Sequence, residues 1–435
     1  MVLLSCLEGI SVYLEKEKPA IIKMSRIRIK NFGPITDGFN DDDGFLDIKK
    51  VTVFIGNQGS GKSTVAKLIS TFMWLEKAVI RGDIKAPVSP ADLMELIEFH
   101  RLEDYLRAES EIIYEGNTYR LTLTGDADNR SVEAHKLDDG SVRQPKIMYV
   151  PAERNFLSSI ANISKVSDLL AGSLKNYSIE FRNAQLTQRG TAIELPINNA
   201  EIIYDPKEDE NYLMFDDKRL KLTDASSGFH SIVPLHWVTK YLVEFVKQGE
   251  KKLLETLSTD QTVRRKNELR SLNTLELDEQ SLRAKEKTIN EKYISKYFVN
   301  IVEEPEQNLF PSSQRRLLNS LLAYNNGQNM LILTTHSPYI VNYLTLAIQA
   351  ETLRKKIEKS EKEDKADLLD RLRDVVPLES CISGSDTIVY QLTDAGMITR
   401  LPDYEGLPSD ENFLNSFLLK GNELFDKLLE IEEDL

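Results

Sequence analysis

The nine residues Gly56-Asn57-Gln58-Gly59-Ser60-Gly61-Lys62-Ser63-Thr64 directly follow the apolar β-forming run Val51-Thr52-Val53-Phe54-Ile55. A strand that ends in a glycine-rich turn and then opens a helix, here Thr64-Val65-Ala66-Lys67-Leu68-Ile69, leaves few folds open to the chain. Such a turn brings backbone N–H groups close to phosphate oxygens because no Cβ blocks the approach. The pattern G-x-x-x-x-G-K-[ST] assigns Lys62 to the β and γ phosphates of a nucleoside triphosphate and the Ser63 hydroxyl to magnesium. The following helix adds its partially positive N-terminus to the same anion. ATP and Mg²⁺ are therefore the expected ligands, with Gly56 to Thr64 as the cradle.

Three later segments carry further chemistry. Tyr297 to Val302 is a strand of the buried type that ends in Glu303-Glu304-Pro305-Glu306. Adjacent carboxylates at the end of an apolar strand are costly unless they meet a cation or a water that they polarise. Glu303 is expected to hold magnesium, reached through water because the side chain is one methylene longer than aspartate, and Glu304 to orient or deprotonate the attacking water. Met330 to Thr335 is another apolar strand, and it runs into His336-Ser337-Pro338. In an α/β pattern ligand sites gather at the carboxyl ends of strands, which places His336 beside the γ-phosphate or the water. Last, Ser226-Ser227-Gly228 precedes an apolar helix. These three residues can cradle a phosphate, although a serine-rich helix cap explains the same letters.

In order and spacing these motifs resemble the ATP-binding cassette ATPases of the chromosome-maintenance and double-strand-break-repair kind. The resemblance implies an α/β fold: a P-loop ABC-type ATPase head with an antiparallel β-subdomain and a short helical, coiled-coil-like insertion. It makes Ser226-Ser227-Gly228 the signature motif, Glu303 and Glu304 the Walker B and catalytic glutamates, and His336 the switch histidine. It also implies a homodimer or higher homo-oligomer in which the signature of one copy completes the pocket of another. Within that group the chain is similar to the overcoming-lysogenization-defect branch and to ATPase subunits of anti-phage defence systems, including the phage anti-restriction-induced system. The features behind this are Glu-Glu-Pro-Glu, Asn308-Leu309-Phe310-Pro311, Val150-Pro151-Ala152-Glu153-Arg154 and the stretch Tyr404 to Leu414.

That resemblance implies a sensor or scaffold controlling a separate effector, a nuclease or toxin, under a phage-encoded trigger. The tail after His336 offers only Gly384-Ser385-Asp386-Thr387 where a two-metal nuclease needs a glutamate and a spaced Asp-x-Asp, so the effector is expected on another chain. The competing reading is a DNA-repair or recombination ATPase. A net charge of −14 opposes nucleic acid overall, so DNA would need a local patch, with Arg264, Arg265, Lys266 and Arg270, or Arg315 and Arg316, as candidates. Both clusters read equally well as ion-paired helix faces.

Expected organisation runs from an N-terminal extension at 1–23, through an N-terminal lobe at 24–237 with an insertion at 81–146, to a helical hairpin at 238–296 and a C-terminal lobe at 297–435. The insertion is read as a helix from Ser89 to Ala108 and a hairpin turning at Gly116-Asn117, and residues 350–374 as one charged helix. No stretch approaches eighteen uninterrupted apolar residues, so no membrane span is expected. The apolar start meets Glu8 early and lacks a basic leader, and Cys6 and Cys381 suggest no disulfide framework. A cytoplasmic setting is the simplest.

Overall fold

The computed structural model describes residues 25–433 apart from 126–130, 138–143, 161–164, 167–168, 216–217, 273 and 276. The expected extension at 1–23 therefore lies outside the described residues. In chain order come β1 (Arg26–Phe32), β2 (Gly38–Phe39), β3 (Leu46–Asp47), β4 (Val51–Gly56), α1 (Lys62–Arg81), α2 (Pro90–Phe99), β5 (Leu106–Glu115), β6 (Tyr119–Thr124), β7 (Ser131–Lys136) and β8 (Gln144–Val150). Then follow α3 (Gly172–Thr187), β9 (Ile193–Glu194), β10 (Glu201–Asp205), β11 (Glu210–Phe215), β12 (Lys218–Lys221), α4 (Ser227–Val246), α5 (Glu250–Glu255), α6 (Thr259–Leu272) and α7 (Glu279–Tyr293). After these come β13 (Ser295–Glu303), α8 (Pro311–Tyr324), β14 (Met330–Thr335), α9 (Pro338–Lys359), α10 (Lys365–Val375), β15 (Thr387–Leu392), β16 (Met397–Arg400), β17 (Asp403–Tyr404), β18 (Leu407–Pro408) and α11 (Phe413–Glu433).

The central sheet runs β2-β16-β15-β4-β14-β13-β8, and the five strands from β15 to the β8 edge are parallel. The strand that feeds the glycine loop is thus separated from the Glu303 strand by the strand leading to His336. Register keeps their carboxyl ends level, with Glu303 opposite Thr334 and Thr335 opposite Ile55. Strands buried on both faces read as continuous apolar runs, as these do. Alternation then splits each run between two cores. Val51, Val53, Ile55, Val302 and Leu333 face α4, α8 and α9, whereas Phe54, Ile301 and Ile332 face α1 and the antiparallel sheet. Each of these fully buried side chains contributes about 1.5–3 kcal/mol by leaving water.

The antiparallel sheet β3-β1-β5-β6-β7 lies across α1. The half-exposed alternation of β1 is present, with Ile27 and Ile29 buried. Glu76 of α1 pins the hairpin turn: its carboxylate accepts the N–H groups of Thr118 at 2.7 Å and Tyr119 at 3.0 Å and the Tyr114 hydroxyl at 3.3 Å. Burial still pushes this carboxyl above its usual range.

Several local expectations need correction. The helix from Ser89 to Ala108 stops at Phe99, and Leu106 already begins β5, where it pairs with Phe32 of β1. Between them Arg101 sits at φ 55°, a left-handed conformation that ends a helix. The helix after the serine-glycine turn runs on past the expected boundary at 237/238, to Val246. It does so through Pro234, whose missing N–H leaves the His230 carbonyl free, and the Ser158 hydroxyl donates to that carbonyl at 3.0 Å. The charged segment at 350–374 is not one helix: α9 ends at Lys359 and α10 starts at Lys365. Among the described residues no helix is long and apolar enough to cross a membrane.

Candidate functional site

The loop between β4 and α1 depends on glycine at its two ends. Gly56 has φ 152°, and a Cβ there would lie 2.5 Å from the Leu392 carbonyl oxygen. Gly61 caps α1 at φ 99°, where a Cβ would meet Ile35 Cδ1 at 2.6 Å. The loop therefore lies tight between the end of β15 and the turn at Pro34 and Ile35 after β1. Lys62, almost fully buried, folds back so that Nζ donates to the carbonyls of Gly56 at 3.0 Å and Asn57 at 2.7 Å. Burial lowers its pKa to about 8, partly offset by the charges of Glu304, Glu306 and Asp394.

His336 stands across the loop. Its Nδ1 is 3.5 Å from Lys62 Nζ and its Nε2 is 3.4 Å from Glu304 Oε1. One imidazole thus bridges the loop lysine and the second glutamate. Glu304 is held below the usual carboxylate range, first by the His336 contact and then by the charges of His336, Lys62 and Arg154. A carboxylate kept this acidic is ionised at neutral pH. In that form both its oxygens are hydrogen-bond acceptors. Its backbone is at φ 43°, unusual for a side chain of this size and of the sort found where a site over-determines the chain.

Gly56, Asn57, Gln58, Glu304 and His336 line one cavity of about 490 Å³, large enough for a nucleotide, and Phe413, Leu414 and Phe417 of α11 form its remaining wall. Glu303 is buried beneath, one carboxylate oxygen accepting the Ala152 N–H at 3.1 Å. Among the described residues no group of three His, Cys, Asp or Glu side chains could hold a metal by itself. Hard oxygens from the Ser63 hydroxyl and Glu303 fit magnesium when phosphate oxygens and water complete the shell. The donor set and the glycine cradle therefore suit a magnesium triphosphate.

Ser226, Ser227 and Gly228 are elsewhere and line no part of this cavity. Ser226 is the N-cap of α4 yet its side chain makes no capping bond, and both serines are exposed. The turn sits instead on the stretch after the glutamates: a Cβ on Gly228 would be 3.2 Å from the Asn308 carbonyl oxygen, and Asn308 Nδ2 donates to Ser231 Oγ at 3.2 Å.

Two residues without an assigned chemical role in the motif reading organise the site. Arg154, wholly buried, donates to the carbonyls of Glu303 and Glu304, both at 2.7 Å, and through Nε to the Ser231 carbonyl in the first turn of α4 at 3.2 Å. One guanidinium thereby ties the glutamate pair to the serine-glycine turn. Glu306 accepts the Thr335 hydroxyl at 2.8 Å and the His336 N–H at 2.7 Å, fixing the histidine's backbone. Burial raises the pKa of Glu306. Arg154 follows the strand that ends at Val150 and Glu306 stands in the acidic run after Val302, so a charged residue next to an apolar strand end was the available signal.

Three of the six basic candidates are engaged within the fold. Arg264 pairs with Asp83, Arg265 donates to Asn290 at 2.7 Å, and Arg315 donates to the Val375 carbonyl.

Among solved structures the chain is similar to an SMC head bound to the C-terminal winged-helix domain of ScpA, at 11% identity over 87% of this chain and 97% of that one, TM-score 0.39. It is similar also to the SMC head domain from Thermotoga maritima (11% identity, 74% and 92% covered, TM-score 0.34). A third is a dimeric ATP-binding cassette in a post-hydrolysis state bound to ADP and Pi (10% identity, 87% and 100% covered, TM-score 0.28). No family model matches the chain, and no curated protein does. At such scores the assignment of fold rests on the strand order and on the loops at its carboxyl edge.

Proposed function

We propose that this chain is an ATP hydrolase whose heads close in pairs around ATP, and that it serves as the sensor and scaffold of an anti-phage defence system controlling a separate nuclease or toxin. One observation carries the hydrolase reading: Lys62, His336 and Glu304 meet in series, 3.5 Å and then 3.4 Å apart, at the mouth of a glycine loop. On binding, Lys62 turns from the loop carbonyls to the β and γ phosphates, and the N–H groups of Gly59 to Thr64 hold the same oxygens. Ser63 and Glu303 hold magnesium, which neutralises charge on the phosphates. Glu304, fixed by His336, orients the attacking water, and Glu306 keeps His336 in place. Ser226 and Gly228 act on the ATP of a second copy, which accounts for an unused serine hydroxyl at an exposed helix start.

The defence role draws on the motif resemblance and on surface charge. With a net charge of −14 and Arg264, Arg265 and Arg315 already engaged, a protein effector fits better than a DNA backbone. The deciding experiment measures mass by light scattering and phosphate release for wild type and Glu304→Gln, with and without ATP and duplex DNA. The expected result is an ATP-stabilised pair that Glu304→Gln traps, and a turnover that DNA leaves unchanged. An unchanged mass on ATP addition would sink the paired-head mechanism; DNA-stimulated turnover would move the function to repair.

A further inference from the structure

Helix α11 starts in the wall of the nucleotide cavity and then leaves the body of the molecule. Its root is fixed by the Phe413 N–H, which donates to Gln391 Oε1 at 2.9 Å, and by Phe413, Leu414 and Phe417 at the cavity. From Lys420 to Glu433 every described residue is exposed, yet Leu424, Leu428 and Ile431 are apolar and 54%, 63% and 60% exposed. Apolar surface this continuous marks an interaction site. The spacing identifies its form: Leu414, Phe417, Gly421, Leu424, Leu428 and Ile431 recur by threes and fours, the a and d positions of a coiled-coil seam.

The flanking charges select the occupant. With that seam, Lys420 and Lys427 take g positions and Glu432 an e position, while Glu423, Asp426, Glu430 and Glu433 lie on the outer side. In a parallel pair of identical helices g faces the next e of the other chain, so Lys427 meets Glu432 of the second copy, twice by symmetry. An antiparallel pair would set lysine against lysine. A membrane surface is disfavoured, because the polar side of α11 holds more acids than bases whereas lipid-bound helices carry cations there.

We propose that α11 binds α11 of a second copy of this chain as a parallel two-stranded coiled coil rooted at the nucleotide cavity. The proposal rests on the paired-head reading for its two-fold arrangement and adds a contact that needs no nucleotide. Gly421 leaves the middle of the seam without a side chain, with nothing within 4 Å of a Cβ built there. The helices alone therefore pair weakly, and tethering to closing heads strengthens them through effective concentration.

The test uses the full chain carrying Cys6→Ser and Cys381→Ser. Under mild oxidation without nucleotide, Leu428→Cys is expected to give a disulfide-linked dimer and Glu423→Cys, on the outer side, is not. Leu424→Glu with Leu428→Glu should raise the dissociation constant of the nucleotide-free dimer about tenfold or more, and Gly421→Leu should lower it. No crosslink at position 428, equal crosslinking at 423 and 428, or a monomer that binds phosphatidylcholine vesicles through α11 would each overturn the proposal. Lys62→Ala separates the two readings. It should remove ATP-driven pairing and keep the 428 crosslink; loss of both would assign pairing to the heads alone and also overturn the proposal. A crosslink that persists while ATP traps no Glu304→Gln pair would instead remove the head reading and leave the helix.

Discussion

The phosphate-loop edge and the serine-glycine turn are both built at the start of a helix, and they differ in how much of a site each contains. At the loop, the α1 N-terminus meets a lysine, a histidine and a strained glutamate within a short chain of contacts, all backed by buried strands. At the turn, the α4 N-terminus faces outward with an idle serine hydroxyl. The first half has its chemistry and one open side; the second has an open end and no chemistry. The proposed composite site needs halves of this kind, and Arg154 joins the two within one chain.

Breaking the loop half should have the largest effect. Glu304→Gln is expected to lower phosphate release by about two to four orders of magnitude while ATP remains bound, as followed by steady-state assay and filter retention. Wild-type turnover in that variant would remove Glu304 from the chemistry. Arg154→Met takes away the strut and strands the Glu303 and Glu304 carbonyls, which should cost about 2–4 kcal/mol in denaturant unfolding. A change under 0.5 kcal/mol would mean the halves are joined by other contacts.

Lys62→Ala should weaken ATP binding about 10- to 150-fold by calorimetry, the worth of charge-assisted hydrogen bonds of about 1.5–3 kcal/mol. Ser226→Ala sharpens the comparison from the other side. It should leave the affinity of the single head for ATP within about twofold and lower turnover about tenfold, a loss of one hydrogen bond felt only in the pair. Mixing it with Lys62→Ala should recover activity above either variant alone, because each supplies the half the other lacks; an inactive mixture argues that the turn does not act across copies.

At neutral pH the smallest effect is that of the Lys62 proton, and it grows only above about pH 8. Burial favours the neutral Lys62 amine, with a pKa of about 8, whereas bound phosphates favour the ammonium. Binding should take up a proton above about pH 8 and not below, and affinity should fall by up to about tenfold per pH unit there. Calorimetry in buffers of different ionisation enthalpy reads this directly. A pH-independent affinity from 7 to 9.5 would place the lysine charge outside the binding step.

Gly56 to Thr64, Glu303-Glu304 and His336 were legible because each follows an apolar strand, and a parallel sheet delivers all its carboxyl ends to one edge. Local periodicity and loop chemistry are sufficient for that much. The helix expected from Ser89 to Ala108 failed at Leu106 because pairing with β1, far off in sequence, outweighs local helical preference. The basic stretch at 264–270 read equally as DNA contact or paired surface, since Asp83 lies 181 residues from Arg264 along the chain and touches it only after folding.

What the sequence determined by itself was the glycine loop and the sheet edge that carries it, because a strand, a glycine-rich turn and a helix start are written in one contiguous stretch. What only the tertiary structure decided was the wiring: that His336 bridges Lys62 and Glu304, that Glu306 holds the histidine, and that Arg154 clamps both glutamates to α4. Those bonds join residues far apart in the chain, and their energies depend on burial and distance, which no local pattern encodes.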